Sequence, residues 1–418
     1  MRNELTSRLL GESERLVALR QAAPDVASRL PLKFEAALSN PCFRDGNGTR
    51  RCLPAFFLAG GMQCGVADLW SKLRMHPHVA DEHDALSHWW TNHPRSRAGV
   101  FDVYLDRFSN AKTLAALSTQ PRTLLGEASP ATFTYAMAES LRLHYLYLDA
   151  FAACHGRCRS HSPPVEHAAA CAQRSYDMAH CYAEATSLTV PLSFNVPSMI
   201  ATTYAARPPR VVALLREPAR RLWVAFWTYG QYPAKYGNSA DGFLYYFGNQ
   251  SASFETCVHT DGRGLRKCAL RFEGYGAAEA NVYYHADQLI KGMYAAFVPE
   301  WQAALPASHL LVVTSEDYFD RTARTLRKIV RHLGLKAFKS SELRAAEKSK
   351  PQDEWATAME RRMEPSDVLL APVRRFYRPW NRALTSMLGD DEAFLWRGAC
   401  WGGGCQKNSP NAAPGSRY

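Results

Sequence analysis

Short apolar runs and longer stretches with helical spacing alternate along most of this chain. Leu53–Leu58, Arg210–Leu215 and Leu310–Val313 are nearly continuous apolar segments, as expected of strands that are buried on both faces of a parallel sheet. Thr123–Leu125 is a shorter run of the same kind. Because strands that alternate with helices build parallel sheets, the pattern predicts an α/β fold with a central parallel sheet flanked by helices.

The intervening stretches carry helical spacing of apolar residues or helix-terminating signals. Pro218 suits the first turn of a helix after the second long run, and Gly334 suits a helix end. The predicted helices are 66–75, 136–151, 166–184, one starting at 218, 283–303, 322–333 and 371–388. Between them, 152–200 reads as an irregular excursion and 235–280 as a polar insertion.

These patterns predict three segments along the chain. Residues 1–50 form an N-terminal helix and loop, residues 51–397 form the main domain, and residues 398–418 form a disordered tail that is rich in Gly and Pro. No internal repeat is found. We therefore expect one large domain rather than a repeat array.

The composition, 47% hydrophobic and 21% charged residues, is that of an ordinary globular protein. The net charge of +11 favours anionic partners, and its basic residues are scattered, with a mild cluster at Arg321–Arg331. No run approaches the roughly 18 apolar residues of a membrane span, and the charged first residues do not resemble a signal peptide. A membrane anchor is therefore not visible, and a cytoplasmic location stays open.

Cysteine usage favours an oxidising compartment. Ten of the 11 cysteines fall into local groups, and Cys64 stands alone, as in a lumenal protein with local disulfides. No C-x-x-C pair occurs, which argues against a zinc ribbon. Cys154, His155, Cys158 and His161 form an alternative metal set, but we expect no metal. Two N-x-[ST] sequons, at residues 47 and 249, also fit a secreted or Golgi glycoprotein.

A glycine-rich turn follows the first apolar run. Gly60 and Gly65 have the G-x-x-x-x-G spacing of a phosphate-binding loop, whose amide groups lie at a helix N-terminus. Val66 and Ala67 occupy the positions at which an NTPase has Lys and Ser or Thr. A kinase or ATPase function is therefore excluded, while a plain tight turn and a phosphate-binding loop both remain open.

Other segments of the chain, taken together with this loop, resemble a known family. The resembling segments occur in order along 40–397: NPCF, then RRCLPAFFLAGGMQCGVADLW from Arg50, HWW from His88, GEASP from Gly126, VVALLREPARRLW from Val211, LLVVTSEDY from Leu310, FYRPWN from Phe376 and EAFLW from Glu392. Together they resemble the catalytic domain of the carbohydrate sulfotransferase family, of the N-acetylgalactosamine 4-sulfate 6-O-sulfotransferase type. The resemblance also implies a disulfide between Cys257 and Cys268 and a P-loop-like three-layer fold.

The resemblance implies sulfuryl transfer from 3′-phosphoadenosine 5′-phosphosulfate (PAPS) to a hydroxyl of a glycosaminoglycan-like carbohydrate, with no metal and no nucleic-acid partner. It also implies a Golgi location. Such chemistry needs donors for the phosphates and the leaving group, a cationic clamp, and a base for the hydroxyl proton.

The family resemblance assigns donor binding to the first loop and to the second nucleotide segment. These cofactor-binding positions are Gly60, Gly61, Met62, Gln63, Cys64, Gly65, Val66, Ala67, Arg216 and Val224. Gln63 stands at the family's lysine position, Val66 and Ala67 replace two threonines, and Val224 replaces a serine. The charged clamp and both sets of hydroxyl groups are therefore weakened.

The family's general base is a Glu in a K-E-P-H-W-W-like string, and here Leu86 takes its place. His88 is the substitute candidate for the base, although it also suits a packing role beside the tryptophans. Trp89, Trp90 and Glu127 are candidates for acceptor contacts, since sugars stack on aromatic rings; a core role for the aromatic rings is the alternative.

Two hypotheses from different classes follow. The first is an active PAPS-dependent sulfotransferase with altered loops. The second is an inactive sulfotransferase-fold pseudoenzyme that binds an anionic glycan or a protein partner. The altered phosphate loop separates them, because fold alone does not establish function.

Overall fold

A four-stranded parallel sheet forms the centre of the molecule. The computed structural model describes residues 10–81, 83–92, 100–135, 141–160, 168–185, 193–272, 287–349 and 364–397. The strands of the sheet are β3 (Phe56–Gly60), β4 (Gly126–Glu127), β5 (Arg210–Leu215) and β6 (Leu310–Thr314), in the order β4-β3-β5-β6. A separate antiparallel hairpin is formed by β1 (Cys42–Arg44) and β2 (Arg50–Cys52).

The helices of the described ranges connect and cover these strands. They are α1 (Glu12–Ala22), α2 (Pro24–Ala27), α3 (Val66–Leu73), α4 (Phe101–Phe108), α5 (Ala111–Thr119), α6 (Leu141–Ser160), α7 (Ala168–Ala185), α8 (Val196–Tyr204), α9 (Pro218–Thr228), α10 (Gln231–Tyr236), α11 (Ala240–Glu255), α12 (Leu265–Arg271), α13 (Gln288–Lys291), α14 (Val298–Ala304), α15 (Ser315–Asp320), α16 (Thr322–His332), α17 (Ser340–Lys348) and α18 (Asp367–Met387). Short 3-10 turns include Trp89–Thr91 and Glu392–Leu395.

Alternate residues of the strands pack into two separate cores. Phe57 and Val211 face one core, whereas Phe56 and Val212 face the other, because successive side chains of a strand point to opposite faces. The second core is closed by apolar faces of α3, α16 and α17, and the first by α1, α8, α9 and α18. The predicted three-layer α/β fold is therefore confirmed.

Most predicted elements are found, with shifted bounds. The strand at Arg210–Leu215 is as predicted, whereas the first strand is Phe56–Gly60 rather than Leu53–Leu58. The short run Thr123–Leu125 precedes its strand, β4. The stretch at 235–280 is largely helical where described, with a π-helical turn at Thr256–Thr260.

The predicted helix at 283–303 is wrong as a single element. Its described part is divided into α13, a 3-10 turn and α14, where Pro299 lies in the first turn of the last piece. Gly292 lies at the first break, and the site requires glycine because a Cβ there would lie 2.7 Å from the Tyr377 hydroxyl. The predicted tail at 398–418, residues 136–140 and residues 283–286 lie outside the described residues.

Three disulfides each close a short stretch of chain. They join Cys42 to Cys52 across the β1–β2 hairpin, Cys158 to Cys171, and Cys257 to Cys268. The predicted pair Cys257–Cys268 is thus confirmed. Cys158 is not available to the alternative metal set, whose His161 lies outside the described residues. Cys64 and Cys154 are buried free thiols.

The N-terminal helix and hairpin share a core with the sheet. Leu19 and Ala22 of α1 and the half-cystines of the hairpin are buried in the same core as Phe57. Within the described ranges, no helix combines the length and the apolar character that crossing a bilayer requires.

Candidate functional site

The candidate site lies where the strand order of the sheet reverses. β3 comes first in the chain, β4 then pairs on one side of it, and β5 pairs on the other side. In open parallel sheets, ligands bind at the carboxyl ends of the strands at such a switch point. The glycine loop 60–65 follows β3, and Arg216 follows β5, so both lie at this point.

Backbone geometry fixes the glycine loop. Gln63 has φ of 68° and Gly65 has φ of 87°, so both adopt the left-handed conformation. Gly65 directly precedes the first turn of α3, whose amide N–H groups have no partner within the helix. At Gly60, a Cβ would lie 2.1 Å from the Leu214 carbonyl oxygen. Loop and helix form the strand–turn–helix geometry that can hold a phosphate.

Side chains from beyond the other three strands hold the loop in place. Thr134, beyond β4, donates from its N–H and its hydroxyl to the Gly60 carbonyl at 3.3 and 3.2 Å. Arg216, beyond β5, donates from Nη1 to the Gln63 carbonyl at 3.1 Å. Ser315, beyond β6, donates to the Cys64 carbonyl at 2.8 Å. The loop is therefore a rigid part of the sheet edge.

Two buried arginines supply positive charge beneath the loop. Arg216 is 4% exposed and Arg221 is fully buried. Arg221 donates from Nη1 to the Gln288 side chain at 3.0 Å, and from Nη2 to the Gln288 carbonyl. The Cys64 thiol lies in the same region, and burial raises its pKa, although the positive charge of Arg221 partly offsets this. The thiol is therefore protonated at neutral pH and adds no negative charge beside the loop.

A carboxylate pair forms the rim of the site on the β6 side. Glu316 accepts from the Glu217 N–H at 2.9 Å and from the Trp396 indole at 2.8 Å, and burial raises the pKa of its carboxyl. Glu217 is buried and pairs with Arg220 at 3.2 Å and with Arg374 at 2.5 Å. Each carboxylate joins neighbouring elements, and the positive charge of Arg216 favours the ionised form of Glu316.

Glu127 organises the segment that contains His88. Its Oε1 accepts from the Ser87 and Ser129 hydroxyl groups at 2.7 and 2.9 Å. These same hydroxyl oxygens accept the N–H groups of Trp89 and His88 at 3.2 and 2.9 Å. The contacts hold His88 at φ of 49°, in the left-handed region. The predicted substrate contact Glu127 is fully buried, and burial raises its pKa, so it supports the segment from within.

The described geometry can be compared with known proteins. No family model matches the chain. The chain is 25% identical over 367 residues to carbohydrate sulfotransferase 15 of Mus musculus, and 25% identical over 370 residues to that of Homo sapiens. Both alignments cover 83% of this chain and 55% of the relative.

The chain is a relative of the carbohydrate sulfotransferases. It spans about half the length of the curated relatives that it matches. A solved sulfotransferase from Alicyclobacillus acidocaldarius aligns with 82% of this chain and 99% of its own, at 15% identity and a TM-score of 0.42. The sequence similarity to the carbohydrate sulfotransferases agrees with the family that the sequence motifs indicated.

The structure brings together the loop positions that the sulfotransferase resemblance marks for donor binding. Gly60, Gly61, Cys64, Gly65 and Val66 are buried, whereas Met62, Gln63 and Ala67 are partly exposed. Arg216 joins them through its contact with the Gln63 carbonyl. Val224 is 2% exposed and lies in the core with α9. A ligand at the loop can therefore reach Arg216 and the Gln63 side chain, but it gains no hydroxyl group at position 224.

His88 belongs to a neighbouring part of the site. It is partly exposed and is joined to Ser129, just after β4, through its backbone N–H. Burial lowers the pKa of its imidazole, and the nearby Asp84 carboxylate partly offsets this. The ring is therefore neutral near pH 7, as a proton acceptor must be. Leu86, at the position of the family's Glu, is 45% exposed and offers no such group.

Trp89 and Trp90 are buried aromatic residues of the core that contains Phe57. Trp89 stacks on Tyr104 with ring centroids 4.8 Å apart, and Trp90 donates to the Tyr104 hydroxyl at 3.0 Å. They are 1% and 0% exposed. Their ring faces are covered, which removes them from the candidate acceptor surface and favours the core alternative. Of the predicted acceptor contacts, none has an exposed face.

Sequence reasoning missed the residues that fix the loop. Thr134 and Ser315 hold its carbonyls, and Tyr294 donates to the Arg216 carbonyl at 2.9 Å. Ser315 directly follows β6, so its position at a strand's carboxyl end was an available signal. Among the described residues, no three His, Cys, Asp or Glu side chains are grouped closely enough to hold a metal ion.

Proposed function

We infer that this chain is a PAPS-dependent sulfotransferase that transfers a sulfuryl group to a hydroxyl of a carbohydrate. The observation that carries the proposal is the glycine loop at the switch point of the sheet, held open by its left-handed residues and contacted by Arg216. The names of the matched relatives support the reaction and the carbohydrate acceptor. The PAPS donor rests on the resemblance of the loop and of the segment after β5.

The residues of the loop suit a donor with phosphate groups. The amide groups at the start of α3 would bind the 5′-phosphate, since a helix N-terminus favours anions. Arg216 would bind the 3′-phosphate through charge-assisted hydrogen bonds. The Gln63 amide would donate to the leaving oxygen, where charge develops, but without the positive charge of a lysine.

The acceptor hydroxyl must lose a proton during transfer. His88 would accept it, because its imidazole is neutral and the Glu127 network holds its backbone. In this scheme Glu127 positions the segment and does not contact the sugar. The acceptor would be a carbohydrate of the glycosaminoglycan type.

A second candidate function is a sulfotransferase-fold protein that binds an anionic glycan or a protein partner without turnover. It is favoured by two observations: the uncharged Gln63 at the loop, and the exposed Leu86 where the family's base would lie. Val224, buried in the core, also cannot bind a 3′-phosphate. Both candidates share the fold but differ in donor chemistry.

Calorimetric titration with 3′-phosphoadenosine 5′-phosphate tests the donor site without knowledge of the acceptor. We expect binding with a micromolar dissociation constant that is lost in Arg216→Ala and partly kept in Arg216→Lys. Arg344→Ala is a matched control, because Arg344 is exposed on α17. Absence of binding at millimolar nucleotide, in folded protein, would contradict the enzyme function and leave the second candidate.

Turnover is then tested by transfer of labelled sulfate from PAPS to a panel of glycans. If the wild-type protein binds nucleotide but transfers no sulfate, the double variant Gln63→Lys, Leu86→Glu tests whether the absent lysine and glutamate cause the inactivity. Appearance of activity would show that the lost charge and base limit the reaction. Continued inactivity would favour the binding function.

We also propose that the protein resides in the Golgi lumen or elsewhere in the secretory pathway. Three disulfides support an oxidising compartment. The sequon residues Asn47 and Asn249 are both exposed and accessible to glycosylation. Thiol alkylation of native protein before and after reduction tests this: all cysteines reactive without reductant would contradict it.

A further inference from the structure

A cavity lies at the β6 edge of the sheet. It has a volume of about 450 Å³ and is enclosed by β6, α16 and the 3-10 turn Glu392–Leu395. β6 is the last strand in the order of the sheet and pairs with β5 alone among the described strands. A water molecule occupies roughly 30 Å³, so the cavity has room for a ligand with several functional groups.

Five basic side chains line this cavity; four come from one face of α16, and the fifth belongs to the residue that precedes the helix. They are Arg321, Arg324, Arg327, Lys328 and Arg331. Residues three or four positions apart share a helix face. The opposite face of α16 packs its apolar residues into the second core. The packing of the apolar face in the core therefore fixes the direction in which the basic face points.

The positive charge of the cavity is only partly compensated. Arg321 pairs with Asp317 at 3.2 Å. In the described part of the chain, no carboxylate pairs with Arg324, Arg327, Lys328 or Arg331. Asp391, the other carboxylate of the wall, accepts the Ala393 N–H at 3.0 Å and caps the 3-10 turn. Like charges at this helical spacing destabilise a helix, so an anionic ligand would relieve repulsion that the fold leaves in place.

We propose that this cavity binds a glycan chain that carries several sulfate or carboxylate groups. The basic face runs from residue 321 to residue 331, which corresponds to about 15 Å along the helix. That length suits an extended chain with repeated charges better than a single anion. The arginine fork pairs with sulfate and carboxylate groups through two parallel hydrogen bonds.

The walls argue against a nucleic acid as the occupant. Single-stranded nucleic acids are held by stacking of bases on exposed aromatic rings. Phe394 is the aromatic residue in the cavity wall, and it is 3% exposed. The choice of a glycan over other polyanions rests on the proposed carbohydrate sulfotransferase function.

The cavity adjoins the candidate donor site through the chain itself. Thr314 lines the cavity, and the next residue, Ser315, donates to the Cys64 carbonyl of the glycine loop. A glycan held by α16 would thus be tethered beside the loop, which raises its effective concentration there. The cavity would act as an anchoring site for acceptor chains that are longer than the reacting sugar.

The test is binding of a heparin-derived hexasaccharide to the full chain, measured by calorimetry at two salt concentrations. We expect Arg324→Ala, Arg327→Ala to weaken binding by about tenfold or more and to reduce its salt dependence. The matched control is Arg375→Ala, Arg378→Ala, two exposed arginines of α18 with the same spacing that lie outside the cavity. The control should bind as the wild type does.

Three outcomes of the glycan titrations would overturn the proposal. These are no binding by the wild type, equal weakening in both double variants, and equal affinity for an uncharged hexasaccharide. An oligonucleotide of equal charge is titrated as well. If it binds as tightly as the hexasaccharide, and if Arg324→Ala, Arg327→Ala abolishes that binding, a glycan site is also excluded. Titration with 3′-phosphoadenosine 5′-phosphate is run on the same variants. Normal nucleotide binding without glycan binding at α16 would refute only this proposal. Glycan binding at α16 without nucleotide binding would refute only the donor-site function.

Discussion

Replacing Glu127 by alanine would remove the acceptor for four buried hydrogen-bond donors. The hydroxyl groups of Ser87, Ser129 and Tyr104 lie 2.7, 2.9 and 2.6 Å from its oxygens, and the Trp90 indole N–H lies 3.2 Å away. Hydrogen bonds to a charged group contribute about 1.5–3 kcal/mol each, but the hydroxyl groups can find water in the vacated space. We expect the free energy of unfolding to fall by about 3–5 kcal/mol, because a buried donor that is left without an acceptor costs about 1–3 kcal/mol.

Glu127→Gln separates the acceptor role from the charge. The glutamine oxygen can face the Trp90 indole, which only donates, while the amide donates to the two serine hydroxyls. We therefore expect a loss of about 1–2 kcal/mol. The exposed Glu347→Ala is the control, and it should change stability by less than about 0.5 kcal/mol.

Differential scanning calorimetry measures these changes. An unfolding entropy of about 2.1 cal/mol/K per residue gives about 0.9 kcal/mol/K for this chain, so 4 kcal/mol corresponds to a Tm lower by about 5 °C. A decrease of less than about 1 °C for Glu127→Ala would refute the reasoning. It would mean that the free-energy cost of desolvating the Glu127 carboxylate equals the stabilisation from its hydrogen bonds.

Three further predictions concern the loop, the base and the hairpin. Gly60→Ala should destabilise the protein by about 3 kcal/mol or more in urea unfolding, because its Cβ would meet a carbonyl of the neighbouring strand; Gly248→Ala, with nothing within 4 Å, should not. If His88 is the base, kcat/KM should fall on the acid side with a midpoint below the ordinary imidazole pKa of about 6.5, because burial lowers the pKa of His88 and the neutral form is required; an acid limb with its midpoint above pH 7 would exclude it. Replacing Cys42 and Cys52 by serine should cost about 2–3 kcal/mol, judged from thermal unfolding, since the disulfide closes a short loop; an unchanged Tm would contradict this.

The predictable part of the fold was its continuously apolar strands. Arg210–Leu215 was found with the predicted bounds because both of its faces are buried. The first strand starts later than its apolar run, after Pro54, which has no N–H for a ladder. β4 was misplaced because Glu127 is a charged residue inside a buried strand. Its burial depends on donors from distant segments, which local patterns do not reveal.

In the candidate site as well, features set by neighbouring residues were predictable from the sequence, whereas contacts between distant segments were not. The spacing of Gly60 and Gly65 predicted the turn before α3, because that geometry is determined within six residues. The contacts from Thr134 and Ser315 depend on how the strands order themselves in the sheet, and no local pattern encodes them. Burial of Trp89 and Trp90 likewise depends on helix α4, which packs over them.

The order of the strands has a consequence for how the chain folds during synthesis. Phe57 pairs with Val211, and Val211 pairs with Leu310, so the central sheet cannot be completed until most of the chain has been made. Contacts so distant in sequence slow folding and leave strand edges exposed meanwhile. The three disulfides join cysteines only 10, 13 and 11 positions apart. They can close early and restrict each connecting segment before the strands meet, so a reducing environment during synthesis should lower the yield of folded protein.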